Sequence, residues 1–226
     1  MVGFFILTIH NVSLEKKGFY GECEPAKSKD KRSDPIFLSN VMQRRTREMQ
    51  MEQLETAYHE AGHAVLSIVL KFRFENISLR KDNEKDGFLK FHDSQPEPEL
   101  ECTCKRECVY RVREVLERRA QVAVSGPLAE KKFNPKSKWR SHGRDDFKKA
   151  RQQLNGGFIA VSDQDNKEFL DSYVKYVKAM VTSGLNIYWD SIERVANKLF
   201  ECKTLSYKEV EDIYNCDRNS RINLPA

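Results

Sequence analysis

From Arg47 to about Leu70 the apolar positions recur at helical spacing and no proline interrupts them, which predicts one long helix. Residues 72–80 (FRFENISLR) and 88–92 (FLKFH) alternate, with turn-forming chemistry at 81–87 (KDNEKDG) between them, so a β-hairpin is expected next. Cys108, Val112, Val115, Arg119, Val122 and Ala123 return to helical spacing and predict a second core helix that stops at Ser125 and Gly126. A short helix is expected over 145–154, with Phe147, Ala150 and Leu154 on its buried side and Gly156-Gly157 as its stop. Two further stripes follow, Phe169, Tyr173, Val177 and Met180 ending at Gly184, then Ile192, Val195, Leu199 and Phe200. The last helix, 206–214, opens on the capping box Ser206-x-x-Glu209, in which hydroxyl and carboxylate each satisfy a backbone donor. The expected architecture is mainly α with a small β-hairpin or sheet. Residues 1–46 read as an arm or linker, 47–216 as the folded domain and 217–226 as a tail.

Composition adds limits. A chain of 226 residues that is 39% hydrophobic can bury one core, and 32% charged residues with a net charge of +5 give a mildly basic surface, short of a dedicated nucleic-acid binder. Lys27, Lys29, Lys31, Arg32, Arg44, Arg45 and Arg47 read as a solvated linker, so no nucleic-acid partner is expected. The apolar run at residues 1–9 is about half of the roughly 20 residues that cross a bilayer, and it lacks the basic flank and cleavage site of a secretory signal. No transmembrane segment is expected. The six cysteines are scattered apart from Cys102, Cys104 and Cys108, whose spacing fits neither a zinc ribbon nor a knuckle. Reduced thiols follow as the default, hence the cytoplasm or another reducing soluble compartment, with membrane association through partners left open.

The chemistry concentrates at His59-Glu60-Ala61-Gly62-His63. On a helix, residues four apart lie about 40° from one another, so His59 and His63 can offer two ring nitrogens to one cation. That is how HExxH binds zinc, with Glu60 placed to hydrogen-bond a water without ligating the metal. The alternative is a pair of ordinary core or solvated histidines. Against it stand Ala57, Tyr58, Ala61, Ala64, Val65 and Ile68, which mark a largely buried helix, where histidines need partners. Gly62 weakens a helix interior by about 1 kcal/mol relative to Ala, and a close approach of another backbone would account for it.

A catalytic zinc needs a third protein ligand and an open position. His92, His142, Asp145 and Asp146 are the candidates. Helical register favours Asp146 over Asp145, since it precedes Phe147 and lies four before Ala150, although either aspartate could instead cap the helix.

The segment Thr56-Ala57-Tyr58-His59-Glu60-Ala61-Gly62-His63-Ala64 resembles the active-site helix of the FtsH family of AAA+ zinc proteases. Gly126-Pro127-Leu128-Ala129-Glu130 is similar to that family's GGRxAE helix start, and Asp146-Phe147-Lys148-Lys149-Ala150 to its Asp-Leu-x-x-Ala. The order helix, hairpin, helix, aspartate, helices agrees with the family's peptidase domain, and Lys203-Thr204-Leu205 resembles its terminal segment. The resemblance covers roughly residues 47–215 and implies an FtsH-like zincin peptidase fold, with one catalytic Zn2+ held by His59, His63 and Asp146 and with Glu60 as catalytic base. It departs from the family in having no GxxxxGK[ST] phosphate loop, no membrane anchor, and an insertion at Cys102 to Cys108. The implied activity is that of a zinc metalloendopeptidase acting on peptides or unfolded proteins without its own ATPase, its assembly open, a homo-oligomer included. The rival reading is a catalytically silent domain of the same kind that binds a protein partner.

Overall fold

A computed structural model of the chain describes residues 35–79, 88–91, 105–162 and 167–222. The apolar run at residues 1–9, the basic positions up to Arg32, the hairpin turn, His92, Cys23, Cys102 and Cys104 lie outside these residues. Gln43–Ala226 forms one compact unit, and it carries everything below. Seven helices and three strands are present among the described residues: α1 Pro35–Val69, β1 Phe74–Ser78, β2 Phe88–Phe91, α2 Lys105–Phe133, α3 Trp139–His142, α4 Arg144–Ser162, α5 Lys167–Ile187, α6 Trp189–Cys202, β3 Thr204–Ser206 and α7 Tyr207–Ile222. The mainly helical class with a small sheet holds.

Helix α1 starts earlier than its periodicity suggests, at Pro35, where the fixed φ of proline suits a first helical turn and its missing N–H costs nothing. From Ala57 to Ser67 every residue is buried, so neighbours surround this stretch and no amphipathic stripe is needed. The helix ends in a Schellman turn. Lys71 adopts a left-handed φ of 63°, Phe72 N–H donates to Ser67 O at 2.8 Å, and Lys71 N–H donates to Ile68 O at 3.1 Å.

The sheet order is β2-β1-β3, all antiparallel. The hairpin was legible; β3 was not, because three residues carry too little alternation. Ile77 pairs with Leu89 on one side and Leu205 on the other, and both Ile77 and Leu205 are fully buried beneath the helices. Ser206 N–H donates to Glu209 Oε2 at 2.8 Å and Glu209 N–H to Ser206 Oγ at 3.4 Å, the capping box in both directions, and α7 then continues to Ile222.

Three stops expected from glycine are not stops. Helix α2 runs through Gly126-Pro127 to Phe133, α4 through Gly156-Gly157 to Ser162, and α5 through Gly184 to Ile187. At Gly126 the reason is a close approach to α1, whereas a Cβ on Gly157 would sit 3.5 Å from Arg113 Cα of α2, an ordinary contact distance that does not demand glycine. Nothing in the structure explains Gly184. The buried face of α5 also departs from the expected stripe, with Leu170, Val177, Val181 and Leu185 inside and Phe169 exposed.

The tightest contact is between α1 and α2. A Cβ on Gly62 would lie 2.7 Å from Ala129 Cβ and 2.9 Å from the Ser125 carbonyl oxygen. The single hydroxyl proton of Ser125 faces both Gly62 O at 3.1 Å and Val122 O at 2.6 Å, a shared contact that links the two backbones at the crossing. Because a backbone carbonyl cannot swing aside, Gly62→Ala should lower the unfolding free energy by about 1–2 kcal/mol, overpacking outweighing the gain in helix propensity. Urea titration of the two proteins measures this, and an alanine variant as stable as the parent would show that the helices can separate.

Candidate metal centre

The α1–α2 crossing fixes the place of His63. A Cβ on Gly126 would fall 2.3 Å from His63 Nε2, so the imidazole occupies the space where any other residue of α2 would put its side chain. The following Pro127 has no N–H to give to the carbonyl one turn back, so the helix loosens its own hydrogen bonding there. In that stretch Val122 O accepts from His63 Nδ1 at 2.8 Å and from Ser125 Oγ at 2.6 Å. A carbonyl can only accept, so the Nδ1 of His63 carries the proton and its Nε2 presents a lone pair.

His59, one turn earlier, has its Nδ1 3.0 Å from Glu130 Oε2 and its Nε2 3.2 Å from Asp146 Oδ2. Asp146 reaches this point because the junction of α3 and α4 presses against Pro127. A Cβ on Gly143 would lie 2.4 Å from Pro127 Cβ, and Asp146 follows three residues later in the first turn of α4. His63 Nε2 lies 3.7 Å from the same Asp146 oxygen. One donor atom each from His59, His63 and Asp146 falls within 4.8 Å of the others, and this group could hold a metal ion.

Among the other candidates, Asp145 is exposed. His142 points elsewhere, its Nδ1 2.8 Å from Glu130 Oε1. His92 lies outside the described residues. Cys108 is disulfide-bonded, so its sulfur is not a thiolate donor for a second metal, and the expectation of a reduced thiol is corrected at that position. Cys202 and Cys216 are free and exposed.

The donor set fits a cation on three counts. Once His59 gives up the proton it shares with Asp146, two nitrogen lone pairs and a carboxylate, all acceptors, face one point and need a positive charge between them. Both histidines have their other nitrogen engaged, the arrangement that fixes a ligand's tautomer and orientation. Glu60 is buried on α1 between the histidines, and its Oε2 has no hydrogen-bond partner. An orphaned buried carboxylate oxygen is costly unless a ligand or water completes it.

The metal-free electrostatics show the same demand. Burial by itself would lower the basicity of His59, but the hydrogen bonds from Asp146 and Glu130 and the nearby charges outweigh it and raise its pKa to about 10. Burial likewise opposes ionisation of Asp146 and Glu130, and their histidine partners override it, holding both carboxyls below the usual range. Burial pushes Glu60 the other way, upward.

Glu130 is the residue that the sequence pattern left without a role. Its carboxylate is fully buried and joins His59 to His142. Only its place in Gly126-Pro127-Leu128-Ala129-Glu130 singled it out, and a helix expected to end at Gly126 could not carry it to the site. No protein-family model matches this chain, and no curated protein is detectably similar to it.

The raised pKa of His59 gives a pH dependence. In the metal-free protein its ion pairs stabilise the fold fully below the ordinary value of 6.5, and that contribution is lost as pH rises through about 10. Melting temperatures taken with chelator should fall between pH 7 and pH 10, and His59→Gln should flatten the slope. Equal slopes in the two proteins would contradict the pairing.

Proposed function

We propose that this chain is an FtsH-like zinc metalloendopeptidase, with His59, His63 and Asp146 as ligands of one Zn2+ and Glu60 as the general base. The observation that carries the reading is the convergence of two tautomer-locked imidazoles and a carboxylate beside a buried glutamate with an unpaired oxygen. Two neutral imidazoles with one carboxylate leave a fourth position for substrate or water, the pattern of catalytic rather than structural zinc sites. Zinc bound there supplies Lewis acidity, which brings the pKa of a water towards neutrality and polarises a carbonyl.

The chain's own groups do the rest. Glu60, whose burial raises its pKa above the ordinary carboxylate value and so strengthens it as a base, takes a proton from the attacking water and returns it to the departing amine nitrogen. Asp146 offsets positive charge, and Glu130 and the Val122 carbonyl hold the imidazoles in orientation.

The substrate is an extended peptide or unfolded segment. Among the described residues β2 has a single neighbour, β1, so its outer edge, Phe88–Phe91, offers unpaired backbone groups to an added strand. No described helix is long and apolar enough to cross a membrane. These 226 residues hold no phosphate loop, so the reading covers hydrolysis of segments that are already unfolded.

Purified protein should contain about one zinc per chain and cleave an unfolded substrate such as casein, with activity lost to chelator and restored by zinc. Glu60→Gln should retain the metal and lose at least about 100-fold in turnover. Asp146→Ala should lose the metal itself, read by elemental analysis. Stoichiometric zinc without any cleavage would favour a silent, partner-binding domain, and cleavage that survives in Glu60→Gln would remove Glu60 as the base.

A further inference from the structure

The Glu130 carboxylate has two oxygens and two histidine partners. His59 Nδ1 takes Oε2 at 3.0 Å, and His142 Nδ1 takes Oε1 at 2.8 Å. The partners differ in setting: the His59 side chain is about 10% exposed, whereas that of His142 is 36% exposed, on the four-residue α3. His142 also borders a cleft of about 490 Å3 together with Glu52, Glu55 and Lys138, one to two turns N-terminal to His59 along α1. A surface imidazole is thus wired, through one buried carboxylate, to the first ligand of the centre.

A terminal carboxylate torsion is broad and roughly two-fold, so one hydrogen bond leaves a glutamate head free to rock. Bonds to both oxygens remove that freedom. The buried charge of Glu130 also needs both partners, since a desolvated carboxylate oxygen left unpaired loses on the order of 1–3 kcal/mol. We infer that His142 is a positioning residue: by donating from Nδ1 to Glu130 Oε1 it locks the carboxylate so that Oε2 stays on His59 Nδ1, which keeps the His59 Nε2 lone pair aimed at the metal. His142 touches neither ligand atoms nor substrate in this role; it acts through Glu130. The inference rests on the metal-centre reading proposed above.

The test compares zinc affinity of the full chain, by competition against a chromogenic chelator, in the parent, His142→Ala, His142→Asn and Glu130→Gln, and in His142→Ala combined with Glu130→Gln. Outer partners of metal ligands typically change affinity by 10–100-fold, and His142→Ala is expected to weaken zinc at least about 10-fold. His142→Asn keeps an N–H donor at similar reach and should recover most of that loss. Adding His142→Ala to Glu130→Gln should cost little more than Glu130→Gln alone, because the two act as one unit. The d–d absorption of the Co2+-loaded parent should shift in His142→Ala and return in His142→Asn, a change that general destabilisation would not produce. Melting of the metal-free forms separates loss of fold from loss of ligand geometry.

Three results would overturn the inference: His142→Ala binding zinc within twofold of the parent, alanine and asparagine variants equally impaired, or fully additive effects with Glu130→Gln. A parent chain that takes up no metal would remove the centre itself, and the inference with it. That outcome is distinct from a parent that binds zinc while His142 proves irrelevant.

Discussion

The architecture depends on two helices approaching more closely than side chains permit. At Gly62 of α1 the neighbouring backbone of α2 stands where a Cβ would be, and at Gly126 of α2 the ring of His63 does. Each glycine is the space the other helix uses. Glycine is unfavourable in a helix interior by about 1 kcal/mol relative to alanine, so two of them at one crossing are retained for the contact they allow. The contact puts His63 against Val122, sets Ala129 and Glu130 behind His59, and leaves the stretch Ala57 to Ser67 of α1 enclosed.

Proline extends the same logic. An internal proline normally marks the end of a helix, because it clashes with the preceding turn and leaves a carbonyl without a donor. In α2 the helix continues, since Ala129 and Glu130 beyond the proline are both fully buried and their packing holds the segment in place. One carbonyl of this stretch, Val122 O, has side-chain donors in His63 and Ser125, and the Pro127 ring packs against Gly143, which sets the start of α4 and so the place of Asp146. A local irregularity in one helix positions groups from two others.

Legibility followed the range of the forces involved. The histidine pair could be read because helical geometry alone puts residues four apart on one face, and Asp146 could be preferred over Asp145 because register against Phe147 and Ala150 is also local. The hairpin was visible in its alternation. Glycines were misread, since nothing in a linear pattern separates a glycine that ends a helix from one that admits a neighbour; Gly126 is of the second kind. Glu130 escaped a role, and His142 was read only as a candidate ligand, for a related reason. Their significance lies in a hydrogen-bonded chain across α1, α2 and α3, and no spacing along the sequence encodes it. On α5 the expected stripe holds at Val177, which is buried, and at Tyr173, which packs against the core, but fails at Phe169, which stays outside while Leu170 faces inward.

His59 and Asp146 are 87 positions apart in the chain, yet their donor atoms meet at 3.2 Å. Any cation held between them is therefore a cross-link that closes a long loop, comparable in kind to a disulfide though reversible. The entropy of closing such a loop grows only slowly with its length, so most of the constraint comes from closure itself. A ligand that binds only the closed form draws the population toward it by mass action. Occupancy of such a centre and cohesion between α1 and α4 would then be two readings of one equilibrium, and conditions that strip a bound ion would also relax the clasp holding the start of α4 against the core.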